Sequence, residues 1–203
     1  MRKPLPALVP LLLAGALAGC ASLTASGVLT AASLDPLTTD PARLTAGVGL
    51  DEALHLRSGD VVLRLAYAPA AQPEAAIAEE FRLEIKADDS GPAGAAGVVA
   101  EPGERIHLAR IAAVDLDRAR STQQRITALK QTSEGRGELT ISVVGGCLAR
   151  PLPAQMRLRT FLRTTPAGPF VRMTETADVL ALLPPRDAAS LRQRLTACPP
   201  ERR

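Results

Sequence analysis

Cys147 and Cys198 are the side chains in this sequence with the widest choice of chemistry. Two cysteines can form a disulfide, bind a metal ion or supply a thiolate nucleophile. A thiol nucleophile requires an imidazole base close by, and the sequence offers only His55 and His107 for that role. We expect a disulfide between the two cysteines, and the catalytic thiol and the metal site are the alternatives.

The two histidines do not follow the spacing of any metal-binding motif, so we predict no metal site. His107 stands between Ile106 and Leu108 in a strand-like segment, and we expect it to face solvent or to make a single hydrogen bond. The adjacent carboxylates of Glu79 and Glu80 would point to opposite faces of a strand and cannot act as a dyad. The chain also lacks serine-hydrolase and phosphate-loop motifs, and we predict no catalytic residues and no cofactor.

Arginines are concentrated in the last quarter of the sequence. From Arg150 to the end there are ten arginines and four acidic residues. A predicted hairpin carries four of these arginines, and alternation along its first strand would place three of them on one face: Arg157, Arg159 and Arg163, with Arg172 on the second strand. Such a face could bind an anionic lipid or an acidic partner, or it could be neutralised locally by Glu175 and Asp178.

The first twenty residues have the order of a secretory signal. Arg2 and Lys3 precede an apolar stretch, which is followed by Leu17-Ala18-Gly19-Cys20. The stretch is shorter than the roughly 20 apolar residues that a membrane span requires. These four residues resemble the lipobox of bacterial type II signal peptides, which implies cleavage before Cys20 and attachment of acyl chains such as palmitate to its thiol.

This resemblance implies a location in the cell. The residue after the cysteine is Ala21 rather than aspartate, which by analogy with sorted lipoproteins implies the periplasmic face of the outer membrane, with the inner membrane and the cell surface as alternatives. In an exported chain an even pair of cysteines favours a disulfide. The rest of the chain resembles uncharacterised lipoproteins of the Gram-negative envelope, and that resemblance carries no functional residues over.

Composition excludes several classes of function. The formal net charge of +3 includes two basic residues of the signal, so the mature chain is nearly neutral, which disfavours nucleic acid as a partner. The chain has one tyrosine, three phenylalanines and no tryptophan, which disfavours a carbohydrate-binding platform. We therefore expect an aliphatic core and, as partners, the membrane through the anchor and an envelope protein or anionic lipid.

Alternation of apolar and polar residues predicts most of the strands. The segments 43–50, 60–68, 79–87, 104–114, 138–144, 156–163 and 169–176 are the predicted strands. A helix is predicted from a cap at Asp115 or Asp117 to Gln131, with the turn 133–137 ending it. A second helix is predicted over 186–198, with Leu191, Leu195 and Cys198 on one face.

These elements predict a sheet-dominated α+β fold, which is an antiparallel sheet or β-sandwich of about seven strands with two helices. We divide the chain into a signal peptide (1–19), the lipidated cysteine with a tether (20–42) and a single globular domain (43–203). The function expected from the sequence is that of a membrane-anchored, non-catalytic binding or structural module of the cell envelope. An envelope hydrolase with dispersed Asp and Glu residues is the alternative.

Overall fold

The structure is a computed structural model, and it describes residues 23–24, 36–85 and 97–199. It confirms the predicted sheet-dominated α+β class. The strands are β1 (Leu23–Thr24), β2 (Thr45–Asp51), β3 (Leu54–His55), β4 (Val61–Pro69), β5 (Ile77–Ile85), β6 (Glu104–Ile111), β7 (Gly135–Val143), β8 (Cys147–Leu148), β9 (Leu158–Arg163) and β10 (Val171–Thr176). The helices are α1 (Leu116–Thr132) and α2 (Pro185–Arg194).

One antiparallel sheet organises the described part of the chain, with the strand order β1-β7-β4-β5-β6-β2-β9-β10. β1 contributes only two residues to it, so seven longer strands form the body of the sheet. The short strands β3 and β8 pair with each other in a separate ladder.

The sheet curls at the junction of β5 and β6, where only three residue pairs join the strands, from Leu83↔Ile111 to Ile85↔Ala109. The inner faces of the two halves therefore meet in one apolar cluster. Its members include Phe81 and Ile141 from one half and Val48 and Leu158 from the other. The aliphatic residues that alternate along each strand thus bury one face of the sheet in a common core, as the sequence pattern predicts.

Helix α1 packs across β4 and β5 through a stripe that includes Ala119 and Ile126. Its start differs from the prediction. Asp115 occupies the N-cap position but has helical backbone angles, because a 3₁₀ turn over Ala113–Asp115 precedes the helix. The Asp115 carboxylate therefore does not cap the helix, and it accepts a hydrogen bond from Nε of Arg118 at 3.2 Å.

β7 begins at Gly135, three residues before the predicted strand, within the segment that we assigned to a turn. The backbone of Gly135 packs closely against β4: a Cβ atom there would lie 2.7 Å from Cα of Pro69 and 2.9 Å from Cζ of Tyr67. The glycine serves close strand packing here, whereas the sequence predicted a turn that ends the helix.

α2 ends at Arg194, four residues before the predicted end. Beyond it the chain is extended alongside β8, where the Leu148 N–H donates to the Thr196 carbonyl and the Cys198 N–H donates to the Leu148 carbonyl, both at 2.8 Å. These hydrogen bonds to a neighbouring strand replace those of a further helical turn. They also bring Cys198 to Cys147, and the two form the predicted disulfide with Cα atoms 4.8 Å apart.

The described residues contain no helix that is both long and apolar enough to cross a membrane. The segment that enters the domain, Pro36 to Asp40, lies on α1. The Gln123 side-chain amide donates hydrogen bonds to the carbonyls of Pro36 at 2.6 Å and Thr39 at 2.8 Å.

Candidate functional site

The arginines predicted to share a face lie on the outer side of the second half of the sheet, opposite the main core. Along β9, Arg159 and Arg163 alternate with Leu158, Thr160 and Leu162, which face that core. Arg172 on β10 pairs in register with Phe161. This outer face has its own small apolar cluster, formed by Val98, Ile106, Leu108 and Phe161.

Arg159 forms a buried ion pair with Glu104, a residue that the sequence analysis did not select. Arg159 Nε donates to Glu104 Oε1 at 2.8 Å and Nη2 donates to Oε2, and the side chains are only 9% and 7% exposed. Nη2 also donates to the Val99 carbonyl at 3.0 Å. The hydrogen bond to Glu104 raises the pKa of Arg159 above its ordinary value. The guanidinium therefore fastens the 97–104 loop onto the sheet.

The ion pair crosses an intervening strand, because β2 lies between β6 and β9. Gly49 of β2 is the residue beneath it. A Cβ atom at this position would overlap the Glu104 carboxylate and would lie 2.8 Å from its Cδ atom. Two residues earlier, a Cβ atom at Gly47 would lie 3.2 Å from Phe161 Cβ. The two glycines thus open a channel over β2 in which side chains from its neighbours meet.

The other three arginines of this face also have local partners. Arg157 forms an ion pair with Glu101, and Arg172 forms one with Glu175 at 2.5 Å. The Arg163 guanidinium lies over the Phe170 ring, 4.4 Å from its centre.

Of the two acids expected to neutralise the arginines, only Glu175 pairs with one of the four. Asp178 instead accepts hydrogen bonds from the Met156 N–H at 3.2 Å and the Leu180 N–H at 3.0 Å. Glu101 and Glu104 supply most of the neutralisation from a loop more than fifty residues away in sequence. A signal for this arrangement existed in the Gly47-x-Gly49 pattern within a strand, since strand glycines mark close approach.

A cavity of about 420 Å³ opens beside these charges. Its lining includes Asp51, Glu101, Glu104, Gln155 and Arg157. Glu101 and Glu104 accept from arginines, and Asp51 accepts from the Ala53 N–H at 2.8 Å. The Arg157 side chain, which is 50% exposed, is the cation best placed to reach a ligand at this rim.

A larger cavity of about 610 Å³ lies between α1 and the strands β4 and β7. Leu65, Tyr67, Ile126 and Leu139 line it with apolar surface, and Lys130 is also part of its wall. The Tyr67 hydroxyl donates to the Ser133 carbonyl at 2.6 Å, which joins the sheet to the end of the helix. No sequence pattern distinguished this cavity, because its lining comes from four parts of the chain: Pro36 and Leu37, β4, α1 and the region around the start of β7.

The prediction for His107 was wrong. Its side chain points into the main core beside Val48, its register partner, and is only 3% exposed. Neither ring nitrogen has a hydrogen-bond partner in the described part of the protein. Burial, assisted by the positive charges of Arg105 and His55, lowers the pKa of His107 to about 4, so the ring is neutral at pH 7.

Within the described part of the chain, neither histidine lies in a cluster of possible metal ligands. Among residues 23–24, 36–85 and 97–199 no three or more His, Cys, Asp and Glu side chains converge as metal ligands do. The absence of metal, of cofactor and of catalytic residues remains a prediction from the sequence.

The predicted signal peptide and Cys20 lie outside the described residues, which begin at Leu23 and Thr24 of β1. β1 pairs with the last two residues of β7, Leu23 with Val143 and Thr24 with Ser142. The chain therefore joins the sheet only three positions after Cys20. Comparison of the chain with protein-family models, with curated proteins and with solved structures finds no match.

Proposed function

We propose that this chain is a lipoprotein anchored by acyl chains on Cys20 at the periplasmic face of the outer membrane, and that its domain is a non-catalytic binding or structural module. The lipobox residues Leu17 to Cys20 support the anchor. The Cys147–Cys198 disulfide is consistent with an exported protein, because such bonds persist in oxidising compartments.

The observation that carries the proposal of a non-catalytic module is that the acids beside the 420 Å³ cavity are already engaged. Both oxygens of Glu104 accept from Arg159, and Glu101 contacts Arg157 and Arg159. Carboxylate oxygens that already accept hydrogen bonds from arginines have little capacity left to bind or orient a substrate. This charge network is suited to fixing the 97–104 loop, and it leaves only its rim for a partner.

Two exposed arginines of this face are the candidate contacts, of which Arg157 lines the cavity and Arg172 lies on β10. The side chains of Arg157 and Arg172 are 50% and 58% exposed, and each pairs with a single half-exposed glutamate. Exposed ion pairs of this kind are weak, contributing about 1 kcal/mol or less, so an incoming carboxylate or phosphate can replace the glutamate. The partner classes that fit are an acidic surface of an envelope protein and an anionic lipid.

The binding proposal is tested with Arg157→Gln combined with Arg172→Gln in the full chain. We expect unchanged thermal stability and a loss of salt-sensitive binding, measured as co-purification with envelope proteins and as binding of a soluble, short-chain phosphatidylglycerol, which the acyl anchor does not itself retain. Arg186→Gln is the matched control, since that side chain is 88% exposed and lies on α2. Binding that is unchanged in both assays would contradict a role for these arginines.

The alternative, an envelope hydrolase, would draw on the same acidic cavity. It predicts that Asp51→Asn and Glu101→Gln abolish a measurable hydrolysis of envelope polymers by the purified protein. Hydrolysis by the wild-type chain that these substitutions remove would establish the enzyme and contradict the non-catalytic proposal.

A further inference from the structure

We propose that one end of the sheet rests on the phospholipid headgroups of the membrane that holds the anchor. This sheet-end surface consists of the turn 57–60 together with Arg82 and Val144. The inference depends on the lipid anchor at Cys20 proposed above, and it adds an orientation of the domain relative to the bilayer.

The chain between the anchor and the sheet is short. Only Ala21 and Ser22 separate Cys20 from Leu23, which pairs with Val143 in the structure. Even a fully extended chain spans only about 10 Å from Cys20 to Leu23. Acyl chains on Cys20 would therefore hold the end of β7 close to the bilayer.

The turn 57–60 lies close to the end of β7. Val143 pairs with Val61, the first residue of β4, so Leu23, Val143 and Val61 form one row across three strands. The turn 57–60 directly precedes Val61, and the Val144 N–H donates to the Asp60 carbonyl at 2.8 Å. Since adjacent strands lie about 4.8 Å apart, this turn is about 10 Å across the sheet from Leu23.

The sheet-end surface carries exposed guanidinium groups beside an apolar side chain. The side chain of Arg57 is 59% exposed, and Arg82 is exposed and donates from Nη1 to the Gly59 carbonyl at 2.8 Å. Asp60, which is only 15% exposed, holds the turn by accepting from the Arg57 backbone N–H at 2.8 Å and from its Nε at 3.2 Å. Val144 adds an apolar side chain that is 39% exposed. Guanidinium groups beside an apolar residue suit the phosphates and the upper acyl carbons of a phospholipid layer.

The orientation also places the 610 Å³ cavity away from the membrane. The cavity is lined at the opposite end of β7, by Gly135, Gly137 and Glu138. Six residues of strand separate Gly137 from Val143, which corresponds to about 20 Å. The cavity would therefore open towards the periplasm.

The test uses the full, lipidated chain in vesicles of phosphatidylethanolamine and phosphatidylglycerol that include a lipid with a nitroxide quencher on its headgroup. A fluorophore is attached through Val144→Cys in one variant and through Arg136→Cys, an exposed position at the far end of β7, in the matched control. We expect severalfold stronger quenching of the label at position 144. Adding Arg57→Glu and Arg82→Glu should lower that quenching, whereas adding Lys130→Glu, at the far end, should leave it unchanged.

Vesicle flotation tests the lipid anchor separately from the orientation of the domain. Protein that floats with the vesicles but is quenched equally at both positions, or more at position 136, overturns the orientation and leaves the anchor intact. Quenching that is unaffected by the arginine substitutions overturns the headgroup contact of the sheet-end surface. Protein that does not float, with an unmodified Cys20, overturns the anchor and the orientation together.

Discussion

At the scale of single residues, the ion pair on the outer face of the sheet forms because Gly49 has no side chain. Gly49 gives the Glu104 carboxylate room to reach Arg159 across β2. Removing one partner of a buried ion pair strongly destabilises a protein, because the remaining charge has neither water nor its partner around it. The residue that permits the pair is therefore as important as the two that form it.

We predict that Gly49→Ala destabilises the protein by about 3 kcal/mol, because displacing Glu104 leaves Arg159 buried without its partner. Urea denaturation of the variant and the wild type measures the difference. Gly137→Ala is the matched control: a Cβ atom there would lie at an ordinary 3.9 Å from Tyr67 Cδ2, and we expect a change of less than about 1 kcal/mol. Equal stability of the Gly49 variant and the wild type would contradict the proposed role of the glycine.

His107 makes stability dependent on pH. Its pKa is lowered from 6.5 to about 4 in the folded protein, so the unfolded chain binds the proton more tightly. The contribution of the neutral ring is fully present above pH 6.5 and is lost as pH falls towards 4. The difference corresponds to a loss of about 3 kcal/mol.

The free energy of unfolding, measured from pH 7.5 to pH 4, should therefore decline more steeply in the wild type than in His107→Leu, which has no proton to bind. His55→Gln is the control, because it leaves His107 buried and should retain most of the decline. An identical pH dependence for the wild type and His107→Leu would show that this ring does not titrate as proposed.

At the scale of elements, alternation predicts the strands because each has one buried and one wet face. The pattern over residues 79–87 is the clearest case, and β5 follows it from Ile77 to Ile85. Element ends are predicted less well, because they depend on neighbours distant in sequence. α2 ends at Arg194 because its following residues pair with β8, and β7 begins at Gly135 because that glycine packs on Pro69.

In the candidate site, too, the sequence predicts the local pattern but not the contacts with distant residues. The sequence predicted which arginines of β9 share a face, but it did not predict their partners. Glu101 and Glu104 reach Arg157 and Arg159 only because the fold places β6 two strands from β9. The burial of His107 was equally unreadable, because a strand whose two faces are both covered gives no alternation to interpret.

The disulfide joins β8 to the segment after α2, which also hydrogen-bonds to β8. Closing a loop with a sequence separation of 51 residues restricts the unfolded chain, and the chain-entropy model gives about 4 kcal/mol for it. Replacing Cys147 and Cys198 together by serine should lower the free energy of unfolding by roughly that amount. Reduced wild-type protein is the control and should match the double variant; equal stability of the oxidised protein and the variant would contradict the prediction.

Gln123 attaches the entering segment to α1. Gln123→Met keeps the size of the side chain but removes its amide, which donates to the carbonyls of Pro36 and Thr39. We expect faster proteolytic cleavage between Pro36 and Arg43, with the rest of the domain equally resistant. Gln124→Met, at the next and exposed position, is the control, and equal cleavage of both variants would contradict the role of Gln123.

At the scale of the whole molecule, the curled sheet has two chemically different ends. The end near β1 carries Arg57, Arg82 and Val144, and the far end opens the larger cavity between α1, β4 and β7. If Cys20 carries lipid, the path of the chain joins the first end to the membrane and exposes the second. The anchor is thus the premise from which the orientation of the molecule follows.

Mass spectrometry of the protein purified from the membranes of a Gram-negative host tests that premise most directly. We expect the mature chain to begin at Cys20, followed by Ala21 and Ser22, and its mass to exceed the sequence mass by a diacylglycerol and an amide-linked acyl chain. Cys20→Ala should remove the added mass and the cleavage. A mature chain that begins elsewhere, or that carries an unmodified Cys20 and is recovered in the soluble periplasmic fraction, would contradict the account.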